Sequence, residues 1–521
     1  MFQHEPFSIS LTGLQSNPAA VPHIVRAYRT SSAARLILHA LRSYTERAFN
    51  NNLSGGFMRY RTKWAFACCA LALMLSAAAR ADIAAYRLGD GTGEDWEPAI
   101  VADGAYVYAL WPHFLATSYK DSAGATCMGW STKGGGKNNT TGSYMYFQSS
   151  SNGGSTWTSV IIPRCPVNGS VVDAQLAVGA NHRLYASYMD GNAQYTPIVV
   201  TYSDDHGVTW STPVDVTNGG KGDKDILLVD AQNNVMVAFE NGGKQHISVS
   251  TNGGQTFTSQ QVPVASGGVA LATGGVLDTQ GNAYFAWSGT NNTGKGPTTF
   301  YVIQSSNLFS TYRITTVDKG AGEPVVSGAG WDYWGGSIQI GIQPKTPPTN
   351  DRVIVVYNAG AGANGGPERI YTKYSDSLAA TWNIPYNSSS WPNGTQLSQA
   401  PQGVWHGFPS ISGSSSIVKV IWMDNRASAG GNYTCKSSSI TGDCGTWNVY
   451  MRSSADGATN WSSETRMSVP TPYRDYQTSA GFDHPYGDYT ETVNDGAGNF
   501  YGIWAEGESY TGNGDVYYSK F

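Results

Sequence analysis

The chain has 521 residues, of which only 13% are charged, and it carries 37 acidic against 32 basic side chains. Its 62 glycines, together with abundant Ser, Thr, Asn, Tyr and Trp, are typical of an all-β extracellular protein with many turns. The acidic balance disfavours nucleic acid or an anionic membrane surface as a partner.

The first 81 residues differ in composition from the rest. Residues 58–81 read MRYRTKWAFACCALALMLSAAARA, with a basic start, an apolar run too short to span a bilayer with ease, and the small-x-small sequence Ala79-Arg80-Ala81. This predicts a secretory signal peptide cleaved near Ala81, and hence a secreted or periplasmic mature chain, residues 82–521. The alternative to the signal peptide is a real N-terminal anchor helix. Residues 1–57 are interpreted as a non-native or disordered extension. The mature chain alone has a net charge of about −12.

Four of the six cysteines follow residue 81, namely Cys127, Cys165, Cys435 and Cys444. An even number in an exported chain predicts disulfides, and proximity favours Cys127 with Cys165 and Cys435 with Cys444 over the other connectivities. No C-x-x-C motif or His/Cys cluster indicates zinc. We predict no cofactor; no EF-hand-like spacing is present, and a structural calcium ion among the Asp- and Asn-rich turns is left open.

A short box recurs along the mature chain. Its copies read SSNGGSTW (150–157), SDDHGVTW (203–210), STNGGQTF (250–257), SDSLAATW (375–382) and SADGATNW (454–461). A further copy, SSNLFSTY at 305–312, is nearly lost. A box that repeats at intervals of this length predicts a repeated structural unit.

Each box follows three strand-like runs. In the second unit these are DAQLAVGA (173–180), RLYASYMD (183–190) and PIVVTYSD (197–204), and TPVDV (212–216) follows the box. Four short antiparallel strands repeated around an axis predict a β-propeller. The same order begins near Glu97, Asp173, Asp225, Val269, Ser337, Phe408 and Tyr489.

These starting points count to seven blades, and a six-bladed ring is the alternative because the fourth unit is the weakest. The seventh unit ends at Phe521 without a fourth strand. Residues 83–88, IAAYRL, have no other place in the pattern. We expect them to supply that strand and close the ring, which removes an exposed sheet edge.

The boxes resemble the Asp-box, or bacterial neuraminidase repeat, of the sialidase superfamily, and the resemblance covers nearly the whole mature chain. It implies that each box is a turn between the third and fourth strands, away from the catalytic face. It therefore implies structural roles for Asp205, Asn252, Asp456, Trp157, Trp210, Trp382 and Trp461.

Chemistry is expected on the opposite face, where inner strands begin and where second strands end. The polar and aromatic candidates at inner-strand starts are Glu97, Asp173, Lys224, Asp225, Trp334, His406, His484, Asp488 and Tyr489. Those at second-strand ends are His113, Asp190, Glu240, Asp424, Arg426 and Glu506. Carboxylates, imidazoles and a Tyr that converge around one axis predict a ligand site.

The resemblance also implies a chemistry in which three arginines hold a substrate carboxylate, a Tyr polarised by a Glu is the nucleophile, and an Asp is the acid/base. Tyr489 is the candidate nucleophile and Glu240 its base. The arginines that the repeat places on this face are Arg369, Arg426 and Arg474. The family's R-I-P sequence is missing, and the arginines cluster in blades five to seven. We therefore predict divergence from true sialidases.

The preferred function is a sialidase-like glycoside hydrolase acting on an extracellular glycan or polysaccharide. Its predicted catalytic residues are Asp424, Asp488, Glu506, Tyr489 and His406. Its predicted substrate-binding residues are Arg426, Arg369, Arg474, Glu97, Lys224, Glu240, His484 and Trp334. Asp424 and Arg426, in the run WMDNR, either point into the funnel or pair with each other.

Two other functions stay open. A polysaccharide lyase acting on uronate-containing chains needs a base for the C5 proton and a cation for the carboxylate, and His406, His484, Tyr489 and Arg426 would serve. A non-catalytic glycan-binding or interaction propeller is the third function, because this fold is widely reused. We expect no nucleic-acid partner and no membrane insertion of the mature chain, and the sequence does not indicate an oligomeric state.

Overall fold

The computed structural model describes residues 83–89, 93–114, 119–127, 143–167, 170–191, 196–263, 270–289, 297–322, 336–360, 368–427, 447–468, 489–507 and 514–521. All of them lie in one compact unit, Asp82–Phe521. The predicted N-terminal extension, the signal peptide and the predicted Cys435–Cys444 pair lie outside these residues. Within them, no helix has the length and apolar character needed to cross a membrane.

The described chain forms seven four-stranded antiparallel sheets. The first three blades contain β2 Glu94–Asp95, β3 Ala99–Asp103, β4 Tyr106–Phe114 and β7 Ser143–Ser150; β8 Ser170–Val178, β9 Leu184–Gly191, β10 Ile198–Ser203 and β11 Val214–Asp215; β12 Asp223–Val229, β13 Val235–Asn241, β14 Lys244–Ser250 and β15 Thr258–Val262. A small hairpin, β5 Tyr119–Lys120 and β6 Thr126–Cys127, projects from the first blade, and a 3-10 turn spans Ala180–His182.

The last four blades continue the pattern. They contain β16 Ala270–Leu277, β17 Ala283–Gly289, β18 Pro297–Ser305 and β19 Arg313–Gly322; β20 Ile338–Gln343, β21 Arg352–Ala359, β22 Arg369–Ser375 and β23 Thr395–Gln396; β24 His406–Gly413, β25 Val418–Asp424, β26 Asn448–Ser454 and β27 Thr465–Arg466; β28 Glu491–Asn494, β29 Phe500–Gly507 and β30 Gly514–Lys520, joined by β1 Tyr86–Arg87.

The ring closes through the N-terminal strand, as predicted. Strand β1 pairs antiparallel with β30, with Tyr86 opposite Tyr518 and Arg87 opposite Tyr517. The inner strands of successive blades contact one another, and β28 of the last blade contacts β3 of the first. The prediction of seven blades is therefore confirmed, and the six-bladed alternative is wrong.

The core lies between the blades. Strand β21, RVIVVYNA, is buried at every position after its first because neighbouring blades cover both of its faces. Between the last and first blades, Trp111 and Tyr146 pack with Tyr501 and Tyr518. Continuous apolar runs in the second strands are the sequence signal of this two-sided burial.

The repeated boxes form one kind of turn. In the first, Ser150 Oγ accepts the Gly154 N–H at 2.9 Å, and Asn152 Oδ1 accepts the Thr156 N–H at 2.9 Å. The eroded fourth copy keeps both bonds, because Ser305 Oγ accepts the Phe309 N–H at 2.9 Å and Asn307 Oδ1 accepts the Thr311 N–H at 3.0 Å. Phe309 stands in the glycine position at φ 61°, a conformation that costs a non-glycine residue about 1–2 kcal/mol.

The predicted disulfide between Cys127 and Cys165 is present. It joins β6, in the insertion between the second and third strands of the first blade, to the segment that follows the first box. Asp121 supports the same region, since its carboxylate accepts the N–H groups of Ala123, Ala125 and Cys165. The hairpin is thus tied to the blade at two points.

Candidate functional site

Several inner strands have a kink at or near their N-terminal ends, which lie at the same end of the propeller axis. Glu97, in the break between β2 and β3, has φ 45°; Asp173, Lys224 and Phe408, at register shifts in β8, β12 and β24, have φ 58°, 55° and 50°. A bulge of this kind re-aims a side chain, and positive φ in a non-glycine residue is strained. Kinks at the same level in several blades therefore mark this end of the axis as a candidate site.

Five side chains meet there, and we call Glu97, Asp173, Lys224, Asp225 and Tyr489 the axial cluster. Glu97 Oε2 accepts the Asp173 N–H at 3.0 Å, and the Asp173 carboxylate lies close enough to raise the pKa of Glu97. Lys224 Nζ lies 3.5 Å from Asp173 Oδ1 and 5.2 Å from the centre of the Tyr489 ring. Asp225 Oδ2 accepts a hydrogen bond from the Ser187 hydroxyl.

The cluster is buried, and burial sets its protonation. Lys224 is the most exposed member at 9%, and Asp225 is fully buried. Burial, reinforced by the Asp173 carboxylate and opposed by Lys224, raises the pKa of Glu97 to about 8. Glu97 is consequently an acid that keeps its proton at neutral pH. Burial also raises the pKa of Asp225, and burial and the nearby carboxylates raise the pKa of Tyr489 well above its usual value.

A cavity of about 250 Å³ adjoins the cluster along the axis. Its walls are residues of the inner strands β8, β12 and β16, and Tyr489 forms part of its lining. The Tyr489 hydroxyl and Asp225 Oδ1 are both buried, and neither makes a hydrogen bond with the described residues. Two buried oxygens of the axial cluster therefore have hydrogen-bonding capacity that the described chain does not use; Tyr489 lines the cavity and Asp225 does not.

His406 lies in a second polar group, between the fifth and sixth blades. Its Nδ1 donates to the carbonyls of Glu368 at 2.8 Å and Val404 at 3.0 Å. Because carbonyls only accept, Nδ1 carries the hydrogen and Nε2 accepts from the Ser398 hydroxyl. Burial lowers the pKa of His406 to about 4. His406 is therefore neutral, with both nitrogens engaged.

Asp424 and Arg426 belong to this second group and pair with each other. Arg426 Nε lies 2.8 Å from Asp424 Oδ1, and Arg426 Nη2 lies 2.5 Å from Asp424 Oδ2. Trp422 Nε1 donates to the same carboxylate at 3.0 Å, and Arg426 Nη1 donates to Glu464. Asp424 is fully buried, so it forms a buried ion pair with Arg426.

The remaining predicted site residues are dispersed. Arg369 donates to the carbonyls of Ala400 at 2.8 Å and Pro401 at 2.6 Å. Glu240 accepts the Gly243 N–H in its own hairpin, and Glu506 lies opposite Asp515 in the β29–β30 ladder. The predicted residues that lie outside the described chain are Trp334, Arg474, His484 and Asp488.

The structure thus places Glu97, Lys224 and Tyr489 in one group. It places His406, Asp424 and Arg426 in a second, separate group. Sequence reasoning missed Ser187, Ser398 and Glu464, which complete these groups. Each is a polar residue within or beside an ordinary strand, and no sequence signal distinguishes it. It also missed Asp95, whose Oδ1 lies 2.6 Å from His113 Nδ1 in a fully buried pair.

No family model matches the chain, and no curated protein does. Among solved structures, it is similar to a protein of unknown function from Dyadobacter fermentans, with 11% identity and a TM-score of 0.43, over 84% of this chain and 98% of that one. It is similar to a Hadza microbial sialidase, with 12% identity and a TM-score of 0.38, over 74% of each chain.

A third similar structure is an ulvan lyase, a polysaccharide lyase, with 12% identity and a TM-score of 0.37, over 62% of this chain and 75% of that one. Likenesses at this level carry no argument about activity. The propeller fold of this chain rests on its own strand pairing.

Proposed function

We propose that the chain is an extracellular glycoside hydrolase that acts through the axial cluster. The observation that carries the proposal is Tyr489, which lines an axial cavity and whose buried phenol lies near the carboxyl groups of Glu97 and Asp173. The Cys127–Cys165 disulfide supports the extracellular assignment, because such bonds persist in oxidising compartments.

In this proposal Tyr489 is the nucleophile, a role that tyrosine takes in some glycosidases that depart from the two-carboxylate scheme. Its raised pKa means that the phenol needs a base at the moment of attack. The Asp173 carboxylate receives the phenolic proton, and the protonated Glu97 gives its proton to the glycosidic oxygen. The Tyr489 oxygen bonds to the anomeric carbon as the glycosidic bond breaks.

In the second step, water attacks the same carbon and the bond to Tyr489 breaks. The proton held by Asp173 returns to the phenol, and the water gives a proton to Glu97, so both groups regain their starting state. Lys224 balances the single negative charge of the carboxyl pair, which lies on Asp173 at the start and on Glu97 in the intermediate. Within this scheme His406, Asp424 and Arg426 are supporting residues, since their described hydrogen bonds are already made within the chain.

The test is turnover of a glycan panel by the full chain. Neutral, amino-sugar, sialylated and uronate-containing glycans are incubated, and reducing ends and unsaturated-uronate absorbance are followed together. We expect reducing ends without added absorbance, and Tyr489→Phe should lower the rate by at least about 100-fold. The matched control is Tyr501→Phe, an equally buried phenol between the last and first blades, which should retain the rate.

Three outcomes contradict the proposal. Added absorbance indicates a lyase, and binding without turnover on every glycan indicates an interaction propeller. A Tyr489→Phe variant with normal rate and normal folding places the chemistry elsewhere.

A further inference from the structure

We infer that a cavity at the outer edge of the first blade binds an acidic sugar, one that carries a carboxylate or a sulfate group. The cavity has a volume of about 430 Å³, within the range of pockets that enclose small ligands. Its walls are hairpin residues 119–122, Tyr146 of β7, residues 160–162 and Val208 of the second box. Ile161 pairs with Phe147 on the outer side of β7. No residue of the axial cluster lines the cavity, so this site goes beyond the proposed function.

The walls of the cavity are fixed to one another within the chain. Ser122 of the hairpin donates its N–H to the Ile162 carbonyl at 2.9 Å and its hydroxyl to the Pro163 carbonyl at 2.7 Å. The Cys127–Cys165 disulfide ties the same two segments covalently. A site with preformed walls loses less conformational entropy when a ligand binds.

The walls present an aromatic ring and an aliphatic side chain to water. Tyr119 is partly exposed, and its ring centre lies 5.4 Å from that of Tyr144 and 5.9 Å from that of Tyr146, at interplanar angles of 73° and 86°. Val208 is 59% exposed. A sugar ring has an apolar C–H face and a rim of hydroxyl groups. It can therefore pack its face against such side chains while its hydroxyls stay in water.

The charge at the cavity favours an anionic ligand. Lys120 is exposed and has no ion-pair partner among the described residues. Asp121, the one carboxylate in the described walls, is already engaged. It accepts the N–H groups of Ala123 and Ala125 at 3.0 and 2.9 Å, and its Oδ2 lies 3.8 Å from Arg164 Nε. Lys120 therefore leaves a positive charge at the cavity, in a chain whose net charge is −5.

These two properties together select the ligand. A neutral sugar would leave the charge of Lys120 unused, and an inorganic anion would leave Tyr119 and Val208 exposed to water. An acidic sugar uses both. Because an exposed ion pair is weak, we expect Lys120 to contribute about 5-fold in affinity.

Isothermal titration calorimetry of the full chain, at pH 7 and low ionic strength, measures this binding. The probes are a galacturonic acid trimer, a sulfated galactose trimer and an unmodified galactose trimer. We expect at least one acidic trimer to bind about 5-fold more tightly than the unmodified trimer, and 0.5 M NaCl to remove the difference. Preference for the first indicates a carboxylate ligand, and preference for the second indicates a sulfate.

Variants of the walls test each contact. Lys120→Gln should reduce the preference to within about 2-fold, whereas Lys244→Gln, at an exposed lysine of β14 in the third blade, should keep it. Tyr119→Ala should weaken the acidic trimer by about 5-fold. Val208→Lys adds a second cation to the walls and should strengthen its binding, which loss of folding would not produce.

Four outcomes overturn the inference. They are equal binding of all three trimers, an unchanged preference in a folded Lys120→Gln variant, no gain in a folded Val208→Lys variant, and complete displacement of the acidic trimer by an equal concentration of inorganic sulfate. The last would show an anion site without affinity for the sugar.

This inference and the proposed function fail separately. Tyr489→Phe, which should slow turnover, should leave binding of the acidic trimer unchanged, and loss of that binding would place the ligand at the axis and overturn the inference. Selective binding without hydrolysis of any glycan leaves the outer site and refutes the hydrolase. Hydrolysis without a preference for acidic trimers in binding leaves the hydrolase and refutes the outer site.

Discussion

Glu491 offers a quantitative test of the contact between the last and first blades. It lies on β28, and its Oε2 accepts the Ile100 N–H of β3 at 2.5 Å. Glu491 is partly exposed and lines two axial cavities. Burial raises the pKa of Glu491 from its ordinary value of 4.5 to about 8, against the opposing effect of the Ile100 hydrogen bond. A neutral carboxyl therefore joins the two blades at neutral pH.

The sign of the pH dependence follows from proton binding. Between pH 4.5 and 8 the folded chain keeps the proton of Glu491 and the unfolded chain releases it, so stability falls as pH rises through this window. The full shift corresponds to about 5 kcal/mol, an upper bound because water in the cavity would solvate the charged carboxylate. This is large beside the roughly 5–15 kcal/mol that stabilises a typical domain.

Glu491→Gln tests this reasoning because the amide keeps an acceptor for the Ile100 N–H and cannot ionise. Relative to the wild type, we expect little change in unfolding free energy at pH 5 and a gain of about 2–5 kcal/mol at pH 9. Urea unfolding followed by tryptophan fluorescence measures both values. Asp495→Asn is the control in the same blade. Hydrogen bonds from Asn499 and Ala497 lower the pKa of Asp495, so its effect should not vary between pH 5 and 9. A Glu491→Gln effect that is equal at both pH values would refute the argument.

Two further predictions concern stability away from the axis. Asp424→Asn should lower the unfolding free energy by about 3–5 kcal/mol, because it removes one partner of a buried ion pair; a folded variant with an unchanged melting temperature contradicts a structural role. Cys165→Ser should lower the unfolding free energy by about 4 kcal/mol, the loop-closure entropy of a disulfide whose cysteines are 38 residues apart. Thermal unfolding measures the effect. A fall in melting temperature of less than about 1 °C would show that the hairpin is held by other contacts.

Much of the fold could be predicted because its signals are local. The serine, the Asn or Asp and the turn backbone of each box are a few residues apart, so the hydrogen bonds of the turn are encoded in one short stretch. This explains why the fourth box keeps its turn although Phe309 replaces glycine. Closure by residues 83–88 was predictable because the last unit ended at Phe521 without a fourth strand and these residues had no other place in the pattern.

The candidate site was predicted only in part. Glu97, Lys224 and Tyr489 were among the candidates, but the pattern could not separate them from His406, Asp424 and the rest. Tyr489 begins the seventh blade and Lys224 lies in the third, so the two meet only across the axis of the closed ring. Asp424 and Arg426 lie two residues apart, and spacing alone allowed either a shared ligand or a mutual ion pair.

The sequence by itself determined the repeat, the seven blades, the closing strand and the Cys127–Cys165 pair, because these depend on short-range pattern and on pairing between neighbours along the chain. Only the tertiary structure decided which charged groups share the axis and which of them are protonated. Desolvation and charge coupling depend on every atom near a carboxyl group. Glu97 therefore becomes an acid with a raised pKa only after folding has buried it beside Asp173 of the second blade and Lys224 of the third.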